Sequence, residues 1–189
     1  SPRSGIIMLI SLIIGLAIPA MVLWLRSLLD ITVSGRKDIE DYTDIPIAGE
    51  LPRWKTNETH PNISSVNNDP PIVEAFRMLR YGLNFMRRNA RVFVTTSSTP
   101  GQGKSFVSTN LSVIFGKTGK KVLLIDGDIR KRTISHKYGK NVGLTGFLID
   151  DGSSVAIDDI IIPNAVDTNV DFIPAGMLPP NPTELLMSD

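Results

Sequence analysis

The sequence predicts an α/β domain built on a parallel sheet and preceded by one N-terminal transmembrane helix. A long uncharged apolar run opens the chain, and beyond residue 70 short β-rich runs alternate with helical patterns. A glycine-rich turn also separates one of these runs from the helix that follows it. Strands that alternate with helices are typical of parallel sheets. We therefore divide the chain into a transmembrane helix (1–27), a juxtamembrane segment and linker (28–71), and a partial α/β domain (72–189).

The apolar run predicts a membrane span. Residues 4–25 carry no charged side chain, Arg3 and Arg26 bracket them, and Trp24 lies near one end. At 1.5 Å per residue such a helix spans about 33 Å, enough for the hydrocarbon core. A signal peptide would have a shorter apolar run, and a buried helix of a soluble protein would rarely stay uncharged for so long. Because more basic residues follow the run than precede it, the positive-inside rule places its C-terminal side in the cytoplasm.

Composition excludes several kinds of site. The chain contains no cysteine, which rules out disulfides and thiolate metal sites. Its net charge is +1 and aromatic residues make up 6% of it. Neither charge nor base stacking therefore indicates nucleic acid as a partner.

The remaining elements follow from local patterns. Residues 34–37 predict a turn, 45–49 an extended or edge-strand stretch, and 53–71, rich in Asn, Ser, Thr and Pro, a flexible linker. The 4-3-4-3 spacing of apolar residues predicts a helix over 71–86. Beyond it we predict a strand, a helix, a strand, a short helix and a third strand, over residues 91–96, 104–117, 122–125, 143–149 and 170–173.

Residues 98–105 carry the strongest chemical signal. They read Ser-Thr-Pro-Gly-Gln-Gly-Lys-Ser, a P-loop pattern in which Ser98 stands where the first glycine is usual. In such a loop backbone N–H groups and the following helix N-terminus bind phosphate. Lys104 is expected to reach the β- and γ-phosphates and Ser105 to offer its hydroxyl to Mg²⁺. An ordinary glycine turn is the alternative, but the strand–loop–helix context favours a nucleotide site and a P-loop NTPase fold.

A second signal is the acidic loop after the predicted strand 122–125. Asp126 follows that strand directly, where open α/β sheets place their ligands, and Asp128 lies two residues later. Two such carboxylates can hold Mg²⁺ through water or accept a proton from an attacking hydroxyl. A loop of solvated charges is the alternative. The position about 20 residues after a P-loop favours a shared phosphate site.

With these motifs in place, the chain resembles the bacterial tyrosine kinases of capsule and exopolysaccharide export. Residues 125–130, Ile-Asp-Gly-Asp-Ile-Arg, resemble the Walker A′ motif of that family. Glu74, Arg77 and Arg80 match its Glu-x-x-Arg-x-x-Arg oligomerisation motif, and residues 176–186 its Gly-x-x-Pro-Pro-Asn-Pro-x-Glu-Leu-Leu segment. The order of membrane helix, Leu-Pro stretch and P-loop is also similar. The resemblance covers nearly the whole chain.

The resemblance implies an ATP-dependent protein-tyrosine kinase, fixed in the bacterial inner membrane with its P-loop domain in the cytoplasm. It implies catalytic roles for Lys104, Asp126 and Asp128, and Mg²⁺ binding by Ser105, Asp126 and Asp128. The implied partners are a ring-like homo-oligomer that phosphorylates in trans, polysaccharide export and polymerase machinery, a cognate tyrosine phosphatase and membrane lipid. The implied ATP contacts are Pro100, Gly101, Gln102, Gly103, Lys104, Ser105, Phe106 and Arg130.

The oligomerisation motif also has a local interpretation. Glu74 and Arg77 lie off the apolar stripe of the predicted helix, and their i, i+3 spacing permits a pair within one helix worth about 0.2–0.5 kcal/mol. The resemblance favours pairing between subunits instead. The same helix ends near Arg87, Arg88 and Arg91, which we interpret as a solvated helix end, with lipid head groups as an alternative neighbour.

Two other functions stay open at this level. A partitioning-type or septum-site ATPase shares the P-loop but usually carries an early lysine in it, where this chain has Ser98 and Thr99, and binds membrane through a C-terminal helix. A non-catalytic, nucleotide-binding regulator of polysaccharide chain length is the second alternative. The family's periplasmic domain is expected before Ser1, and its Walker B aspartate and tyrosine cluster beyond Asp189. We therefore expect the 189-residue chain alone to transfer no phosphate.

Overall fold

The computed structural model describes residues 3–29, 33, 35–54, 62–65, 71–138, 142–150, 154–179 and 185. The chain forms two compact units, Ser1–Ile47 and Ala48–Asp189. The sequence assigns residues 48–54 and 62–65 to the juxtamembrane segment and linker, whereas the structure includes them in the second unit.

The first unit contains the predicted apolar helix. Helix α1 covers Ser4–Leu29, and none of its residues is buried. Its 26 residues correspond to about 39 Å of helix. Within the described residues it is the one helix long and apolar enough to cross a membrane, as the uncharged run predicts.

A short helix, α2, follows at Arg36–Glu40, where the sequence predicts a turn over residues 34–37. That prediction is wrong for Arg36 and Lys37. The Gly35 backbone N–H donates to Asp38 Oδ2 (3.2 Å), and Arg36 Nε pairs with Glu40 Oε1 one turn on (2.6 Å). These contacts of side chains three and four residues apart favour one helical turn over an open bend.

The second unit is built on a three-stranded sheet. Strands β1 (Val122–Ile125), β2 (Ile162–Asp167) and β3 (Val170–Ile173) lie in the order β1–β3–β2. The parallel β1–β3 pair agrees with the predicted parallel sheet, with Val122 opposite Val170. Strand β2, which the sequence did not predict, is antiparallel to β3, so the sheet is mixed. Its irregular register fits an edge strand interrupted by a proline.

The predicted strand over residues 91–96 is not formed. The chain there pairs with no strand of the described residues. Val92 and Val94 are 83% and 86% exposed, whereas Phe93 stacks on Phe115 with ring centroids 5.5 Å apart. The β-branched residues favour a strand, but no neighbouring strand of the described residues pairs with them.

Helices supply about half of the buried apolar core, and one of them packs against the sheet. They are α3 (Pro71–Met86), α4 (Lys104–Gly116), α5 (Ser135–Tyr138), α6 (Leu144–Asp150) and α7 (Ile157–Ile160). The 4-3-4-3 pattern is confirmed, because Ile72, Phe76 and Leu79 are buried on α3. The α3 and α4 helices pack through the Phe76 and Phe106 rings, whose centroids are 5.6 Å apart.

The predicted linker is partly core. Asn62 and Ile63, at the start of a 3₁₀ turn (Ile63–Ser65), are buried. The Ile63 N–H donates to Asn110 Oδ1 on α4 (2.8 Å), and Asn62 Nδ2 donates to the Val166 carbonyl on β2 (3.3 Å). These bonds satisfy buried polar groups and join the turn to the sheet and helix. Residues 55–61 and 66–70 of the predicted linker lie outside the described residues.

Candidate nucleotide site

The glycine-rich turn has the backbone that its sequence predicts. Gly101 and Gly103 have φ angles of +85° and +88°, a region that L side chains rarely adopt. Gly103 precedes α4, and its carbonyl accepts the Val107 N–H at 2.9 Å. The first N–H groups of a helix have no partner within it, so the start of α4 can bind an anion.

Lys104 is held along its own loop. Its Nζ donates to Ser97 Oγ at 3.0 Å, and the Ser97 hydroxyl donates to the Thr99 carbonyl at 2.8 Å. Ser97 lies one residue before the P-loop pattern, and sequence reasoning missed it. Lys104 is half-buried and lines the cavity at the loop, so its ammonium group can reach a ligand there.

A cavity of about 540 Å³ joins the P-loop to the acidic loop. It includes every predicted site residue of the two loops except Gln102 and Asp126. Its lining residues are Pro100, Gly101, Gly103, Lys104, Ser105, Phe106, Thr109, Asp128, Arg130, Lys131, Thr133, Ile134, Lys137 and Tyr138.

The cavity is strongly cationic. Lys104, Arg130, Lys131 and Lys137 line it beside one carboxylate, that of Asp128. Such an excess of positive charge suits a polyanionic ligand such as a nucleoside triphosphate. Sequence reasoning missed six cavity residues: Thr109, Lys131, Thr133, Ile134, Lys137 and Tyr138. For all but Thr109, a place within ten residues after the acidic motif is the signal that could have found them.

Asp126 is turned toward the protein. It is 3% exposed, and its Oδ2 accepts bonds from the Ser135 N–H (2.9 Å) and hydroxyl (2.6 Å). Its Oδ1 accepts the Asp128 N–H at 3.2 Å. The Ser135 hydroxyl oxygen in turn accepts the Ala175 N–H at 2.8 Å. This carboxylate thus ties the end of β1 to α5 and, through Ser135, to the end of β3.

Asp128 lies at the cavity instead. It is half-buried, and its Oδ1 accepts the Lys131 N–H at 2.9 Å. A carboxylate and the Ser105 hydroxyl are hard oxygen ligands, which Mg²⁺ prefers. Among the described residues no group of three or more His, Cys, Asp or Glu could hold a metal alone. The donors present therefore fit a Mg²⁺ shared with phosphate oxygens.

The segment after β3 packs against the start of α6. The Leu144 and Thr145 N–H groups donate to the Pro174 and Ala175 carbonyls (2.8 and 3.0 Å). A Cβ added to Gly143 would lie 2.3 Å from the Pro174 oxygen, so only glycine fits there. The segment leads directly into the motif over residues 176–186, of which residues 180–184 and 186 lie outside the described ones.

The oligomerisation motif forms contacts within its own chain. Arg77 Nη1 pairs with Glu74 Oε2 at 3.1 Å along α3. Arg80 Nη1 donates to the Ile114 carbonyl on α4 at 3.4 Å, and its guanidinium lies 4.8 Å from the Tyr81 ring centroid. Glu74 is exposed, whereas the two arginines are half-buried.

Comparisons with known proteins agree with this geometry. The CbiA family, described as the CobQ/CobB/MinD/ParA nucleotide binding domain, matches residues 93–149. The solved BceF tyrosine kinase domain is 33% identical and superposes with a TM-score of 0.70, over 82% of this chain and 67% of that domain. The chain belongs to the bacterial tyrosine kinase family. This membership confirms the predicted P-loop NTPase fold.

Longer relatives carry the same description. A putative tyrosine-protein kinase in the cps region of Klebsiella pneumoniae is 34% identical over 98% of this chain. The tyrosine-protein kinase wzc of Salmonella typhimurium is 33% identical over 100% of it. The chain spans 28% of the length of each of these two relatives.

Proposed function

We propose that the chain is the nucleotide-binding part of an ATP-dependent protein-tyrosine kinase that controls capsule or exopolysaccharide polymerisation and export. One cavity carries this proposal: Lys104, Ser105 and Asp128 line it together with three more basic residues. The tyrosine kinase relatives, one of them named for a cps region, support the reaction class and its setting.

We assign each cavity residue a separate role in the reaction. Lys104 exchanges its bond to Ser97 for phosphate oxygens, and the loop N–H groups stabilise the charge that develops on them. Ser105 and Asp128 hold Mg²⁺, with Asp126 contributing through water or through the loop that it anchors. Bound ATP supplies the γ-phosphoryl group, and Mg²⁺ neutralises charge on its oxygens. A carboxylate of the acidic loop orients the incoming phenol and accepts its proton.

Phosphoryl transfer tests this function directly. In the full-length protein, γ-labelled ATP should place label on tyrosine, and chelation of Mg²⁺ should remove it. Ala156→Ser, on the exposed surface before α7, is a control that should keep full labelling. Nucleotide binding without any phosphotyrosine would instead support the non-catalytic chain-length regulator.

We further propose that the protein works as a ring-like homo-oligomer in the inner membrane, with its P-loop domain in the cytoplasm. A neighbouring subunit would then be the first tyrosine substrate, and a cognate phosphatase and the polysaccharide polymerase machinery its other partners. Glu74 is exposed beside Arg77, so both groups can exchange their pair within the helix for one between subunits.

Loss of the two arginines tests the assembly. In the full-length protein in detergent, Arg77→Ala with Arg80→Ala should shift the species toward monomer and lower labelling in trans. The reason is that two guanidinium forks that can bind carboxylates are removed. Light scattering measures the mass, and Arg87→Ala with Arg88→Ala is the charge-matched control on the same segment. An unchanged mass would show that the motif is only a solvated face.

A further inference from the structure

The second unit carries a strongly basic surface. Residues 75–125 contain five arginines, four lysines and no acidic residue. Six of these cations are exposed and lie just after α3 or α4. We call them the basic surface: Arg87, Arg88, Arg91, Lys117, Lys120 and Lys121.

The three arginines after α3 and the three lysines after α4 lie at the same side of the second unit. The early part of α3 contacts the early part of α4 through Phe76 and Phe106 (5.6 Å between centroids). The middle of α3 contacts the late part of α4 through Arg80 and the Ile114 carbonyl (3.4 Å). The helices therefore run in the same direction and end at the same side of the unit.

An aromatic pair joins the residues that follow the helices. The Phe93 ring, two residues after Arg91, stacks on Phe115 at 5.5 Å. Lys120 Nζ lies 6.0 Å from the centroid of the same Phe115 ring. Because α4 starts at the P-loop and ends here, the basic surface lies about 20 Å from the nucleotide loop.

Within the part of the chain that the structure describes, two ordinary explanations do not account for the surface. Cations next to a helix C-terminus stabilise it, but this effect fades within one turn and does not extend to Lys120 and Lys121. The second explanation is an ion pair with an acidic residue of the same unit. Asp167 comes to this end through the β2–β3 turn, but its carboxylate accepts bonds from the Ser64 hydroxyl and the Thr168 N–H.

We propose that the basic surface binds the anionic lipid head groups of a bilayer. Phe85, next to it on α3, is 93% exposed, and an aromatic ring beside several cations suits a lipid interface better than bulk water. The same chain carries the candidate membrane span α1. When that helix is inserted, the second unit is tethered to a membrane. Its nucleotide cavity lies at the opposite end of α4 from the basic surface.

A single-cysteine probe tests this surface in the intact chain. Because the chain has no cysteine, Asn89→Cys places one fluorophore between Arg88 and Arg91, and Asp158→Cys places a control probe on α7. The protein is reconstituted into vesicles of zwitterionic lipid, with or without about one-third anionic lipid. Brominated lipid should quench the probe at 89 in anionic vesicles at least about fivefold more than in zwitterionic ones, and high salt should reverse this. The probe at 158 should not respond.

Charge variants complete the test. R87Q/R88Q/R91Q removes half of the cations and should reduce the anionic-lipid quenching severalfold. R87K/R88K/R91K should keep it, because head-group attraction depends on charge rather than on guanidinium geometry. Equal quenching with and without anionic lipid would overturn the proposal. A second measurement uses a quencher dissolved in the water phase. If protection of the probe at 89 from this quencher rises with protein density and does not depend on lipid charge, the proposal is also overturned. Such a result would indicate contact between copies or with another protein.

Discussion

Lys104→Met in the full-length protein is expected to weaken ATP binding by roughly a hundredfold or more. The substitution removes the one ammonium group that the P-loop itself presents to the phosphates. The fold should survive, because Lys104 is half-buried and its Nζ donates to the exchangeable hydroxyl of Ser97. Isothermal calorimetry measures the affinity, and thermal unfolding checks the fold.

Two control variants sharpen this experiment. Lys117→Met removes an equal charge just after the other end of α4 and should leave ATP affinity unchanged. Ser97→Ala frees Lys104 from its hydrogen bond, so affinity should stay the same or rise slightly. An ATP affinity for Lys104→Met equal to that of the parent protein would contradict the assignment of the loop as a nucleotide site.

Elements with a complete local pattern could be predicted from the sequence. Helix α3 begins and ends where the 4-3-4-3 spacing and flanking residues place it, and β1 and β3 cover the predicted apolar runs. Strand β2 has no such pattern, because Pro163 and Asn164, the latter with φ of +51°, interrupt it. It forms because β3 offers an edge, a tertiary effect that local propensity does not contain.

The same limit explains the part of the core hidden in the predicted linker. Ile63 is fully buried, yet its neighbours in sequence are polar. Its burial depends on Asn110 and on the strand that carries Val166, which lie far along the chain. Composition correctly describes a segment without a helical or strand period, but it does not report whether a turn of that segment fills a gap in the core.

The P-loop could be predicted because its chemistry is local, whereas the acidic loop could be predicted only in part. Consecutive backbone N–H groups and two glycines with positive φ are fixed by adjacent residues. The directions of the Asp126 and Asp128 side chains depend instead on Ser135 and on the end of β3. Sequence position therefore predicted both aspartates at one phosphate site but did not distinguish the anchoring carboxylate from the one at the cavity.

Because the two aspartates differ in this way, Asp126→Asn and Asp128→Asn should have different effects, the first on stability and the second on ATP binding. An asparagine at 126 has one oxygen and one NH₂ group. If the oxygen accepts from Ser135, the NH₂ group faces the Asp128 N–H, and this part-buried donor loses its acceptor. We expect a loss of about 1–3 kcal/mol in the free energy of unfolding and a fall of several degrees in the midpoint.

At 128 the amide oxygen can still accept the Lys131 N–H, so the unfolding midpoint should stay within about a degree of the parent protein's, since a substitution at a half-exposed polar position changes stability little. Asp128→Asn should instead weaken Mg²⁺-dependent ATP binding, because a carboxylate at the cavity becomes a neutral amide. Thermal unfolding and calorimetry with and without Mg²⁺ separate the two variants. An Asp126→Asn variant as stable as the parent protein, or an unfolding effect at 128 alone, would show that Asp126 does not anchor the loop through Ser135.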